Sequence, residues 1–187
     1  MARHAIPDLL TPRLRLRAFT PDDAPAFHAA YGDPETMRYW DHEPSPTIAR
    51  TALYLSHWAK PPSDGHMIWA IARADTNCCI GMVNHHNGSA RHRRTEIGYI
   101  LAPEAAGHGY AREAVAAVIH HLHTTLAIHR IEAEIDVRNT RSRALVEHLG
   151  FICEAPLMRN RARFASGTVD ACLYALVSDP LATDSGA

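Results

Sequence analysis

Residues 96–126, EIGYILAPEAAGHGYAREAVAAVIHHLHTTL, decide how the rest of the chain is read. The run opens on the β-prone residues Ile97, Tyr99, Ile100 and Leu101, breaks at Pro103, and passes through Ala105-Ala106-Gly107-His108-Gly109 before turning periodic. Ala111, Ala114, Val115, Val118, Ile119, Leu122 and Leu126 then recur at helical spacing, the mark of one apolar face. The predicted order is strand, glycine loop, helix. A glycine loop feeding a helix N-terminus leaves several backbone N–H groups without helical partners, aimed one way and backed by the positive end of the helix dipole. Such a terminus suits an anion, and phosphate above all. No Gly-Lys-Ser/Thr follows, and Arg112 stands where the third glycine of G-x-G-x-x-G belongs, so nucleotide hydrolysis and dinucleotide binding are disfavoured.

Downstream, residues 130–137 alternate Ile131, Ala133, Ile135 and Val137 with Glu132, Glu134 and Asp136, as a strand does. Asn139 is suited to cap a short helix over 141–149 that stops at Gly150. Residues 151–157 and 169–177 read as two final strands joined by a polar loop over 159–167, with a frayed tail from Asp179. Upstream, Arg13, Arg15 and Arg17 alternate with Leu14 and Leu16, a half-buried strand. Thr20-Pro21-Asp22-Asp23 then supplies a cap, a proline and first-turn acids for a helix to about Tyr31. Asp33-Pro34-Glu35-Thr36-Met37 opens a short turn, and Thr47 starts a helix through about Lys60, closed by Pro61-Pro62 and Asp64-Gly65. Residues 67–73 and 78–86 form a hairpin across Ala74–Asn77, and Asn87-Gly88-Ser89 with the basic cluster 91–94 turns the chain into the strand at Glu96.

The predicted element order is β-α-α-β-β-β-α-β-α-β-β around a mixed sheet. No repeat, linker or low-complexity block interrupts it, so a single domain is expected over 1–187, with its core at about 11–180 and flexible tails at 1–10 and 181–187.

A chain of 187 residues buries about two thirds of its unfolded surface without help from metal or disulfide. Its net charge of -1 gives no global field toward nucleic acid or a membrane. The N-terminus lacks an apolar signal region and no apolar run reaches the ~18 residues of a membrane span, so a cytoplasmic protein is expected. Arg91-His92-Arg93-Arg94 is the local exception, either a solvated turn or a contact for an acidic substrate or a ligand's phosphate. Cys78, Cys79, Cys153 and Cys172 make no C-x-x-C pair and read as reduced, small core residues. His120 and His123 have metal-ligand spacing but no carboxylate beside them, and no metal is expected.

The loop Ala106-Gly107-His108-Gly109-Tyr110-Ala111 resembles the acetyl-CoA signature of the GNAT N-acetyltransferases, Gln/Arg-x-x-Gly-x-Gly/Ala, with Ala106 in place of the leading Gln/Arg. Asn139-Thr140-Arg141-Ser142 followed by Gly150-Phe151 resembles the RimJ/RimL-type branch, which acetylates protein N-termini or small amines. The resemblance implies an α/β (α+β) GNAT fold: a mixed, mostly antiparallel sheet flanked by helices and splayed at its central strands. It implies acetyl-CoA as cosubstrate and a primary amine as acceptor, and it allows a homodimer. On this chain it implies Gly107, His108, Gly109, Tyr110, Ala111 and Arg112 at the CoA phosphates, with Arg143 a second cation. A main-chain N–H of Ile100 or Leu101 is expected at the thioester oxygen, and the pantetheine arm in the splayed gap as an extra strand. Asn139 is expected on the pantetheine amide, and Tyr39 and Trp40 as walls of the acceptor side.

Direct acetyl transfer needs a neutral amine, a stabilised oxyanion and a proton for the departing thiolate. Glu96 is the expected carboxylate for the ammonium proton, directly or through a water. A carboxylate's ordinary pKa of about 4.3 is poorly matched to an amine, so either partial burial raises it or the amine's own pKa falls. For the thiolate the resemblance points to Ser142, with Tyr99 or Tyr174 in reserve. The alternative is a non-catalytic acyl-CoA-binding protein of the same fold, suggested by Ala106 and by Asn160-Arg161 where related enzymes carry a further carboxylate.

Overall fold

A computed structural model describes residues 6–59, 65–164 and 167–178. Its strands are β1 (Leu9–Leu10), β2 (Leu14–Arg17), β3 (Met67–Arg73), β4 (Cys79–Ser89), β5 (Arg94–Leu101), β6 (Arg130–Asp136), β7 (Ile152–Phe164) and β8 (Gly167–Val177). Its helices are α1 (Ala24–Tyr31), α2 (Ile48–Trp58), α3 (Tyr110–Thr124) and α4 (Thr140–His148), with 3-10 turns at Pro21–Asp23, Thr36–Tyr39 and Pro103–Ala105. Apart from the two-residue β1, this is the predicted order. The predicted end of the second helix at Lys60, with Pro61, Pro62 and Asp64, lies outside the described residues, as do residues 1–5 of the first predicted tail and all of the second; the rest of the first tail is described and ends in β1.

The strands form one sheet in the order β1-β2-β3-β4-β5-β6-β8-β7, mixed and mostly antiparallel: only β5 and β6 run parallel. The apolar periodicity of α3 buries Val115, Val118 and Leu122 against Leu14, Trp69, Ile71, Val83, Ile97 and Ile131 on one face of the sheet, where Val146 of α4 joins them. The other face packs Ile68, Ala70, Met82 and Ile100 beneath Phe27 and Tyr31 of α1 and Leu55 of α2. The predicted stripe on α3 frays at its end, since the helix stops at Thr124 and Leu126 is exposed. Entry to α1 is fixed by a buried, two-bond ion pair from Arg17 Nη1 and Nη2 to Asp23, at 2.7 and 2.8 Å. Burial pushes the Asp23 carboxyl up, but Arg17 and Thr20 outweigh it and hold the group below its ordinary range.

The feature that shapes the site is the seam between β5 and β6. Parallel pairing is confined to Arg94–Arg130, Thr95–Ile131 and Glu96–Glu132, and beyond Glu96 the two strands separate. The antiparallel β4–β5 register pairs residue 82 with 100 and 84 with 98, and the Ala102 N–H donates to Ile80 O. Hydrogen-bonded positions alternate along an antiparallel pair. Gly98, Ile100 and Ala102 therefore turn their N–H groups toward β4, and Tyr99 and Leu101 turn theirs into the gap. Of the two residues expected to present an N–H, Leu101 is so placed and Ile100 is not.

Three expectations fail for local reasons. β4 does not turn at Asn87-Gly88-Ser89 but continues through a bulge, and the turn falls on 90–93. Gly88 is there because its backbone abuts Gly65, where a Cβ would meet Gly65 Cα at 2.4 Å. The polar stretch from Arg159 belongs to β7, paired with β8 to its end; Asn160 N–H donates to Asp170 and Arg161 binds Glu134, so polar side chains serve an exposed hairpin. Finally, only Cys79 and Cys172 are buried, while Cys78 and Cys153 are exposed.

Candidate active site

The loop between β5 and α3 is built on two left-handed glycines, Gly107 at φ 80° and Gly109 at φ 78°, the latter capping α3. Left-handed backbone at both positions explains why glycine is found there. Glu113 N–H is the first to find a helical acceptor, on Gly109 O, so the N–H groups of Tyr110, Ala111 and Arg112 have no partner inside the helix. His108 closes the loop by bonding Ala106 O at 2.9 Å and stacking on Tyr110. Arg112 is exposed and shares a 2.9 Å contact with His148 of α4.

A residue from the far end of the chain completes this loop. Arg13 donates to His108 O at 3.0 Å, lies 4.7 Å over the Tyr110 ring and pairs with Glu113 at 2.6 Å. Glu113 also accepts from Thr11 Oγ1. The period-two pattern marks Arg13 only as the outward side of a strand, so nothing in its own neighbourhood signals this role.

At the seam, Ser142 Oγ and Tyr99 OH are 2.7 Å apart, joining the two residues named for proton supply. Burial pushes the Tyr99 hydroxyl up to about 12, against the opposing pull of its bond to Ser142, which leaves a protonated donor at neutral pH. Tyr174 is not available there: it donates to Glu147 and receives Arg143. Arg143 also donates to Val137 O, so it braces the fold and is not a free phosphate ligand. Asn139 caps α4, its Oδ1 accepting the Ser142 N–H at 3.1 Å, which leaves its amide nitrogen for a ligand carbonyl. Tyr39 OH reaches Arg138 O at 3.5 Å, so the Thr36–Tyr39 turn spans toward the β6–α4 loop as a wall. Trp40 is partly buried against the α1/α2 core.

Glu96 projects to the α1/α2 face, the side opposite Tyr99. Glu132, its partner across the seam, begins a row with Glu134 and Asp136. Glu132 is bound by Arg94 and Arg130, Glu134 by Arg161 and Asp136 by Arg138. Glu96 has no arginine partner among the described residues; Asn87 Nδ2 donates to it at 3.2 Å and His86 Nε2 lies 3.5 Å away. Its carboxyl is held below the ordinary range by His86 first, then Asn87, with burial working against both. The expected upward shift is therefore reversed, because burial is only partial and two donors face the charge.

The basic cluster is not part of this site. Arg91, His92 and Arg93 line a cavity of about 410 Å³ with His129, beside the start of β5. The glycine loop follows the other end of that strand, about 23 Å away at the usual strand rise, so the cluster does not serve the CoA phosphates at that loop. Among the described residues no group of three His, Cys, Asp or Glu is placed to hold a metal ion.

Residues 13–152 match the acetyltransferase (GNAT) domain family, and the chain belongs to that family. It is 32% identical over 173 residues to the uncharacterized N-acetyltransferase YoaA of Bacillus subtilis, covering 91% of this chain and 97% of that one. It is 29% identical over 147 residues to a spermidine N(1)-acetyltransferase of Vibrio cholerae, covering 78% and 83%. The crystal structure of spermidine N-acetyltransferase from Vibrio cholerae in complex with CoA and spermine superimposes with a TM-score of 0.76 at 23% identity, over 89% of this chain and 96% of that one. The chain is an N-acetyltransferase of GNAT type, and the non-catalytic alternative is set aside.

Proposed function

We propose that this enzyme moves an acetyl group from acetyl-CoA directly to a primary amine that enters from the α1/α2 face. The observation that carries the reading is the open seam itself, flanked by the Tyr99–Ser142 hydroxyl pair on one side and by Glu96 on the other. The CoA pyrophosphate lies on the amides at Gly107–Arg112, with the side chain of Arg112 as a cation nearby. The pantetheine arm pairs with the free edge of β5, and Asn139 donates to one of its carbonyls. The N–H of Leu101 or Tyr99 meets the thioester oxygen as it gains charge.

Glu96 is the destination of the acceptor's positive charge. The freed amine attacks the thioester carbon, the C–S bond breaks, and the thiolate takes a proton from Ser142, whose hydroxyl is hydrogen-bonded to Tyr99. Glu96, the carboxylate on this face without an arginine partner among the described residues, favours a cationic amine. A relative that bears the name of a spermidine acetyltransferase supports a small polyamine-like acceptor. The Asn-x-x-Ser and Gly-Phe resemblance supports a peptide N-terminus.

Release of free CoA thiol, followed with a panel of polyamines, amino acids and short N-terminal peptides, tests the reading. Turnover is expected with at least one amine, and silence across the panel would sink it. Turnover with peptides alone identifies a protein modifier, and turnover with small amines alone a metabolite acetylase.

A further inference from the structure

Glu96 looks toward a second group that the sequence did not single out. His86 stands opposite Glu96 in the β4–β5 register, on the same face, with Nε2 3.5 Å from Glu96 Oε2. A carboxylate only accepts, so when Nε2–H donates across this contact the lone pair of the neutral ring falls on Nδ1. His86 Nδ1 is shut off from solvent and has no partner among the described residues, although the residue as a whole is only half-buried. Asn84 Oδ1, one step along the same face, is in the same condition, and Asn84 is 8% exposed.

Gly98 makes room for Asn84 beside His86. A Cβ there would meet Asn84 Oδ1 at 2.6 Å and His86 Cε1 at 3.8 Å. Two acceptors without a donor, each costly to leave unpaired, therefore converge over a bare stretch of β5 beside the one carboxylate of the row lacking an arginine. An ammonium brings the N–H donors that such a group of acceptors lacks.

We infer that His86 is the base that deprotonates the acceptor amine, with Glu96 as the residue that positions its ring and Asn84 as a second ligand of the ammonium. The inference rests on the acetyl-transfer reading above and assigns the proton path within it. The ammonium gives one proton to His86 Nδ1, and the imidazolium is held against Glu96. The neutral nitrogen then attacks the thioester carbon, the C–S pair leaves as thiolate and takes a proton from Ser142, and the nitrogen's second proton passes to Ser142 as the amide forms, while His86 returns its own to solvent. Overall one ammonium and one thioester give an amide, a thiol and one proton released to solvent. The charged and titratable groups that face His86 are Glu96 from β5 and His66 from the β3 side, while its chain neighbour His85 points to the opposite face. Arg161 acts on Glu96 from β7 at longer range.

The test uses the full-length enzyme and the most active amine of the panel. His86→Ala is expected to lower kcat by about a hundredfold or more, with acetyl-CoA affinity and melting temperature retained. Added imidazole is expected to restore about tenfold of that loss, and to restore none of the loss in Glu96→Gln, where the ring is present but unheld. His86→Gln serves as the second variant should the alanine protein fold poorly. A kcat within about threefold of wild type in either variant would overturn the assignment and return the proton to Glu96 or a water. So would a loss that imidazole leaves untouched while acetyl-CoA still binds. Inactive wild type would instead strike at acetyl transfer itself, before His86 is in question.

Discussion

Tyr99 and Ser142 come from opposite sides of the seam, 43 residues apart in sequence, and meet through one 2.7 Å contact. Ser142 was readable from the Asn-x-x-Ser spacing, because Asn139 caps the helix and turns the serine inward from its first turn. The partnership with Tyr99 was not readable, since it depends on how β5 and α4 pack across the sheet. The same holds for His86: it is the last residue of the unbroken β4–β5 register that pairs it with Glu96, and no local pattern announces that pairing. If the hydroxyl pair supplies the thiolate proton, Ser142→Ala lowers kcat by about ten- to a hundredfold with little change in the KM for acetyl-CoA. Tyr99→Phe has a smaller effect of the same kind. Because the two act as a unit, the double variant falls little below Ser142→Ala alone, and steady-state kinetics on the three proteins decides it.

Among elements, the strand, loop and helix at 96–126 were legible because each obeys its own period and the glycines punctuate the change. β7 was not, because an edge hairpin carries the polar residues of a loop and betrays itself only through its partner strand. Gly109 is the element-scale position most exposed to test. Its φ of 78° is left-handed, and the space where a Cβ would sit already has Arg13 Nη2 at 3.5 Å. Gly109→Ala is expected to cost about 1 kcal/mol of stability through backbone strain, read as a lower urea midpoint. It is also expected to raise the KM for acetyl-CoA, because the strain falls on the amides proposed to meet the phosphates. An unchanged KM would separate the loop from cofactor binding.

For the molecule as a whole, the α3 face hides a titratable centre unconnected with the reaction. His85 is 5% exposed, bonds Thr95 Oγ1 through Nδ1 at 3.1 Å, and stands near Trp69 and His121. Burial pushes its pKa down to about 4, with His66, His86 and His121 adding to the effect. The folded state therefore prefers the neutral ring, so this contribution is fully present above pH ~6.5 and is lost as pH falls toward 4. The loss is on the order of 3 kcal/mol. Urea midpoints at neutral pH and near pH 4.5 are expected to differ accordingly, with the difference reduced in His85→Gln. The core as a set of residues was largely legible in the apolar periods. That a histidine takes a core position was not, because Thr95 on the neighbouring strand bonds only its Nδ1 and its Nε2 is left without a partner among the described residues. The clamp of Arg13 on Glu113 closes across 100 residues of chain, which bears on the order of assembly. During synthesis Arg13 emerges long before the glycine loop it braces. A contact so distant forms only once the intervening strands have been gathered, so the phosphate cradle is among the last parts of the protein to take shape.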